Sequence, residues 1–416
     1  MGGMSETGSL PFPPEPGWRA SLREELEALS ARGHRRQLRA VDGRQGPVVR
    51  HEGREVILLA SNNYLGLADH PALVQAAADA ARRWGASAAA SPLISGHMEP
   101  HAALAAALAA LKGKEAALLF GSGFLANLGL LSTLAGPGDA VFSDALNHAS
   151  IIDGCRLSRA GTRVFPHNDM DALERALREA RGARRKIIAV DGVFSMDGDL
   201  APLPALAELA KAHGALLIVD EAHATGVLGS EGRGAAAHFG LQRRVGVAMG
   251  TLGKALASYG AFAAADGETV DYLVNRARPY IYSTALPPPA VAAARAALQL
   301  SLGEEGARRR ARLKALCARF RAGLRRIGFA APDPPEGVEV PIFPVVVGEA
   351  RKAVELAEHM LRAGVFLLAI RPPTVPEGTS RLRATLMATH TERQIDQALD
   401  ALEEGVKKLQ VAPTGL

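Results

Sequence analysis

The residues most suited to chemistry begin with Lys254, in the stretch VGVAMGTLGKALASYG over 245–260, where an apolar run of strand length gives way to small residues. Lysine is scarce here, nine against 39 arginines, and the neighbours of Lys254 are Gly, Thr, Ala and Ser rather than charges. Small neighbours leave room for a bulky group. A lysine held in such a pocket can lose its proton and attack a carbonyl. The plain alternative is a loop lysine after a buried strand.

Two further stretches offer partners. Leu216-Leu217-Ile218-Val219-Asp220 reads as a buried strand that delivers a carboxylate, then an imidazole at His223, to the carboxyl edge of a sheet, where open α/β sheets bind ligands. The letters DEAH also occur in nucleotide-driven motors, but Ala248 and Ala255 occupy the first glycine and the hydroxyl position that a Walker A loop requires. Gly121-Ser122-Gly123-Phe124 comes after a strand and opens a helix, so free N–H groups and the positive helix end make a phosphate site. Gly121 to Ala126 also fits a dinucleotide fingerprint with Asp144 as its acid. That reading leaves Lys254 without a use, and the glycine loop would normally come after the first strand of its domain. His148, just after a strand, could lie flat on a ring or be an ordinary capping or core histidine.

A phosphate-binding helix start, a strand-end aspartate and a pocket lysine together describe a pyridoxal phosphate site, with Lys254 as Schiff base and Asp220 pairing the pyridinium nitrogen. A charged ring nitrogen away from water is costly unless paired, and pairing keeps the ring an electron sink for a carbanion at the substrate α-carbon. No metal is expected: close pairs such as Asp220 with His223 and His97 with His101 give it little support.

Length and pattern dictate the elements that must position these residues. At 416 residues the chain exceeds the ~250–300 residues at which one core stops growing, so two domains are expected. We expect a tail over 1–17, a helix and hairpin over 18–60, a large cofactor-binding domain over 61–300 and a small α+β domain over 301–410. Apolar residues at 48% with 5% aromatics suit a helix-rich globule. The charge of +5 comes from scattered arginines, with a local excess at 308–312, and implies no nucleic-acid partner. Cys155 and Cys317 suggest neither a disulfide framework nor a CxxC site. Without a signal-like start or an apolar run near 18 residues, the expectation is a cytoplasmic protein away from membranes.

Helical spacing over 18–38 gives way to a hairpin over 48–59, a polar turn at Ser61-Asn62-Asn63-Tyr64, a helix over 71–84 and a small-residue loop over 85–96. From residue 101 helices alternate with strands at 116–120, 140–143, 163–165, 186–191, 215–220, 245–249 and 261–264. This predicts an α/β fold with a mostly parallel seven-stranded sheet. Beyond 301 the order becomes helix, strand, helix, strand, strand, helix.

Asn62-Asn63-Tyr64-Leu65-Gly66-Leu67, Ser122-Gly123-Phe124, Asn147-His148-Ala149-Ser150, Val193-Phe194-Ser195-Met196-Asp197-Gly198-Asp199, Asp220-Glu221-Ala222-His223, Thr251 to Lys254 and Ile281-Tyr282-Ser283-Thr284 resemble, in that order, the α-oxoamine synthases. The resemblance spans roughly 20–405. It implies a fold-type I pyridoxal phosphate transferase, usually a homodimer, that condenses a small amino acid with an acyl thioester and releases carbon dioxide. It makes Lys254 the Schiff-base lysine and proton shuttle, Asp220 the pyridinium partner, His223 a donor to the ring hydroxyl and His148 the stacking residue. Ser122, Gly123 and Phe124 with Thr251 would hold the phosphate, Ser195 would contact the ring, and Ser283 or Thr284 would reach the neighbouring subunit's phosphate. Arg371 would grip the amino acid carboxylate, with Asn62, Arg36 and Thr374 also facing substrate.

The string Ile370-Arg371-Pro372-Pro373-Thr374-Val375-Pro376-Glu377-Gly378-Thr379, with Arg381-Leu382-Arg383 just after it, resembles the branch that joins L-alanine to a pimeloyl thioester, on CoA or an acyl carrier protein. Glycine acetyl-transfer is the alternative within the family. One departure is Ala88-Ala89-Ala90-Ser91-Pro92-Leu93, where the family is usually glycine-rich with a polar or basic residue; Pro92 argues against the aminolevulinate-forming branch.

Overall fold

The computed structural model describes residues 16–334 and 338–412. Most of the tail expected over 1–17 therefore lies outside the described residues. In chain order the strands are β1 (Val48–His51), β2 (Arg54–Leu58), β3 (Ala116–Phe120), β4 (Ala140–Asp144), β5 (Gly161–Phe165), β6 (Lys186–Asp191), β7 (Leu216–Asp220), β8 (Val247–Thr251), β9 (Ala261–Ala265), β10 (Ile342–Gly348), β11 (Val365–Phe366), β12 (Ala369–Ile370) and β13 (Ser380–Thr385).

Seven of them form the central sheet in the order β3-β9-β8-β7-β6-β4-β5. Strand β9 runs antiparallel to both β3 and β8, and the other neighbours are parallel, as the alternating pattern predicts. The parallel strands are covered on both faces, so they read as unbroken apolar runs, such as IIAV before Asp191 and LIV before Asp220. Register sets which groups meet at the strand ends: Asp191 lies opposite Asp220, and Asp220 opposite Met249. Between β8 and β9 the backbones approach closely. A Cβ on Gly250 would come within 2.5 Å of the Phe262 ring.

Two small three-stranded sheets complete the chain, β10-β13-β12 and β1-β2-β11. The second departs from the simple hairpin that the sequence suggests, because β11 adds in parallel to β2, Val365 beside Ile57 and Phe366 beside Leu58. Val49, Val56 and Leu58 bury against Phe366 and Met387, so apolar burial joins the two ends of the chain. The lead-in helix also ends earlier than its periodicity suggests, at Ala31 instead of residue 38. Gly33 takes a left-handed φ of 70°, which stops a helix at little steric cost. In the expected small-residue loop, Pro92–Gly96 forms a single wide helical turn.

Candidate active site

Lys254 sits in the loop between β8 and β9. That loop is held by its own backbone: Leu252 N–H donates to Gly260 O at 2.9 Å, and Ser258 N–H to Leu252 O at 2.8 Å. Thr251 Oγ1 donates to Gly260 O at 3.1 Å and accepts from Gly253 N–H at 3.2 Å. Burial lowers the pKa of Lys254 to about 8 against the opposing pull of Asp220 and Asp191. A substantial fraction of this amine is therefore neutral near neutral pH, as a nucleophile or proton shuttle requires.

Its nearest partner is His223, whose Nε2 lies 3.0 Å from Nζ. Burial first, then the charges of Lys254 and Arg383, keep this imidazole well below its usual range, so it is neutral. The Asp220 carboxylate accepts from Asn127 Nδ2 at 2.7 Å and from Ala222 N–H at 2.8 Å. Asp191, opposite it, accepts from His148 N–H at 2.8 Å. Burial and the neighbouring Asp220 charge raise Asp191 well above the carboxylate range. Asp191 carries a signal that sequence reading passed over, since β6 ends on an aspartate just as β7 does.

The helix Gly123–Leu134 opens at Ser122, whose Oγ accepts from Leu125 N–H at 3.2 Å and whose carbonyl accepts from Ala126 N–H at 3.0 Å. The remaining first-turn donors, on Gly123 and Phe124, have no such protein partner among the described residues. A Cβ on Gly123 would meet only Met249 Cε, at 3.8 Å. Phe124 is exposed, its ring edge-on to His148 at a centroid distance of 6.4 Å. His148 caps the helix Ala149–Ser158 and contacts Ser150 Oγ through Nδ1 at 2.7 Å, while the residue stays exposed.

The turn at 61–64 is held from within. Asn63 Oδ1 accepts from Leu67 N–H at 2.9 Å, and Asn63 Nδ2 donates to Gln45 O at 2.9 Å. This aims the fully buried Tyr64 at His223, hydroxyl to Nδ1 at 2.7 Å. Asn62 Oδ1 accepts from Tyr64 at 3.1 Å and from Arg383 Nη1 at 3.2 Å. Arg383 also donates from Nε to the carbonyl of Ser195 at 2.5 Å, and among the described residues its buried Nη2 has no partner, as is true of Arg371 Nε.

Arg383 is thus the guanidinium among the residues around Lys254, and sequence reading assigned it no role. A signal existed: Arg381 and Arg383 stand two apart on β13 and share a face, and both reach the 195–197 loop, Arg381 pairing with Asp197. Arg371 lies instead against the N-terminal segment, donating from Nη1 to Gly33 O at 2.6 Å. Arg36 joins it, with Nη2 3.4 Å from Arg371 O, 3.3 Å from Pro372 O and 3.3 Å from Thr374 Oγ1. The structure therefore gathers Arg36, Arg371 and Thr374 with one another, and these side-chain hydrogen bonds do not reach Lys254, Asp220 or His223. Ser283 and Thr284 lie on a partly exposed segment beside Tyr282, which is 71% exposed.

Comparisons with known proteins bear on the family of the chain. Residues 54–402 match the family described as aminotransferase class I and II. An 8-amino-7-oxononanoate synthase of Geobacter sulfurreducens is 54% identical over 389 residues, covering 94% of this chain and 98% of its own. The serine palmitoyltransferase of Sphingomonas wittichii superposes with a TM-score of 0.88 at 33% identity, over 97% of this chain and 100% of its own. A structure of SPT with PLP as its internal aldimine superposes with a TM-score of 0.88 at 30% identity, over 95% of this chain and 99% of its own. The chain belongs to the class I and II aminotransferase family and, within its α-oxoamine synthases, is most like 8-amino-7-oxononanoate synthase.

Proposed function

We propose that the protein condenses L-alanine with a pimeloyl thioester to give 8-amino-7-oxononanoate, carbon dioxide and the free thiol carrier, with pyridoxal phosphate as cofactor. The observation that carries this reading is the clustering of a neutralisable Lys254, Asp220 and two free helix-start N–H groups in a chain 54% identical to an enzyme of that name. Resident groups fit the cofactor. Gly123 and Phe124 have N–H groups to spare for a phosphate, and Asp220 accepts from two donors, leaving lone pairs for a pyridinium. When bound, pyridoxal phosphate supplies an electron sink for the carbon bearing the amino group.

The protein's own groups divide the remaining work. Lys254 Nζ would hold the cofactor through its aldehyde and, once displaced by the substrate amine, would take and return the α-proton, which an amine of pKa about 8 can do in both directions. Asp220 would hold positive charge on the ring nitrogen, with Asn127 fixing its carboxylate. His148 would stack on the ring and His223 would meet its hydroxyl. Ser122, Gly123, Phe124 and Thr251 would hold the phosphate, and Ser195 would contact the ring. The partnerless Nη2 of Arg383, beside Asn62, suits an amino acid carboxylate. Arg36, Arg371 and Thr374 form a separate polar cluster that faces the acyl donor or the carboxylate. We also infer a homodimer, in which Ser283 or Thr284 reaches the partner's phosphate site, and a cytoplasmic location. Among the described residues, no helix is long and apolar enough to cross a membrane.

Incubating the purified holo-protein with alanine and pimeloyl-CoA, and monitoring product mass and thiol release, tests the reading. Formation of 8-amino-7-oxononanoate is expected. Faster turnover with glycine and acetyl-CoA would replace it with glycine acetyl-transfer.

A further inference from the structure

We propose that, in the cofactor-free protein, Asn62 and Tyr64 form a hydrogen-bond relay that fixes which nitrogen of His223 carries its proton, leaving the bare Nε2 lone pair on the Lys254 amine. Tyr64 is thereby a positioning residue for the reacting lysine. The proposal rests on the reading of Lys254 as that lysine.

The polarity of the relay is dictated from one end. A guanidinium only donates, so the Asn62 atom 3.2 Å from Arg383 Nη1 is the amide oxygen. That same oxygen lies 3.1 Å from Tyr64 Oη, and two oxygens at that distance need a proton between them. Only Tyr64 has one to give. Its hydroxyl proton is thus committed to Asn62, and its oxygen is left to accept from His223 Nδ1 at 2.7 Å. A neutral imidazole carries a single N–H. With that proton on Nδ1, Nε2 is an acceptor, 3.0 Å from Lys254 Nζ, which is a donor in either protonation state.

The two central members are shielded from the randomising effect of water, while Asn62, Arg383 and Lys254 are half-buried. Tyr64 is fully buried and His223 is 7% exposed. The alternative assignment, with Tyr64 donating to His223, sets two bare oxygens against each other, and an Nε2–H against the donors of Lys254 whenever the amine is protonated. A relay that starts at a fixed cation and ends at the amine therefore holds Lys254 by a lone pair.

Nitrogen-15 spectroscopy of the full-length chain freed of cofactor, with labelled histidine, reads the tautomer directly; His223→Gln identifies the resonance. Wild type is expected to show a pyrrole-type Nδ1 and a pyridine-type Nε2 at neutral pH. Tyr64→Phe and Asn62→Ala should abolish or reverse that preference, whereas Asn62→Asp, which still only accepts, should keep it. A pyrrole-type Nε2 in wild type overturns the proposal, as does an unchanged tautomer in Asn62→Ala. Borohydride labelling at another lysine would sink the reading of Lys254 while leaving the tautomer result intact, so the two failures are distinguishable.

Discussion

The side-chain amide of Asn127 donates to Oδ2 of Asp220 at 2.7 Å, and its same nitrogen reaches Ser150 Oγ at 2.9 Å. One residue on the helix that begins at the phosphate turn therefore sets the carboxylate at the end of β7. The two charge-binding ends of the site are built as one rigid unit, with consequences that variants can test.

Asp220→Asn is expected to release the cofactor readily, because an amide cannot compensate a buried cationic nitrogen. Removing one partner of a buried charge pair costs about 3–5 kcal/mol. Asn127→Leu should weaken binding less, since one charge-assisted hydrogen bond is worth about 1.5–3 kcal/mol. Cofactor dissociation constants from fluorescence titration check the order, and equal losses would mean that Asn127 does more than orient Asp220.

Lys254→Ala should abolish product formation, since Lys254 is the lysine placed beside His223 and Asp220 to bond the aldehyde. Borohydride reduction of the wild-type holo-protein and then peptide mapping is expected to mark Lys254. A mark on any of the other eight lysines contradicts the assignment.

Capture of the aldehyde cofactor should depend on pH through the neutral fraction of Lys254. Burial lowers this amine from 10.5 to about 8, so the capture rate should climb with pH and level off just above 8 instead of continuing toward 10.5. Stopped-flow absorbance of the cofactor-free protein between about pH 6 and 10 measures the inflection.

Arg383→Lys should raise the Michaelis constant for L-alanine more than about tenfold with the cofactor spectrum unchanged, because an ammonium cannot replace a two-pronged grip on a carboxylate. Arg371→Lys, whose guanidinium holds the Gly33 carbonyl, should act more weakly on alanine. Steady-state kinetics on both variants decides which arginine holds the carboxylate, and a larger effect at Arg371 restores the role suggested by resemblance.

The sequence by itself determined the parts of the site carried by consecutive residues. The strand ending on Asp220, the glycine turn that opens a helix at Gly123 and the lysine among small residues each declare themselves locally. So does the helix–strand alternation, because a strand covered on both faces must be an unbroken apolar run. Tertiary structure decided everything that depends on register and on pairing across the chain. The charge of Asp220 acts on Asp191 only because β6 and β7 align those two residues. Strand β11 leaves its neighbours in sequence to cover β2, roughly three hundred residues away, because burying Phe366 beside Val56 and Leu58 outweighs local order. Reading the string alone gives the carboxylate to Arg371 and leaves Arg383 without a role. A guanidinium at the end of a long side chain goes where the backbone aims it: Arg371 lies on a loop against Gly33, while β13 carries Arg383 to Asn62 and Ser195.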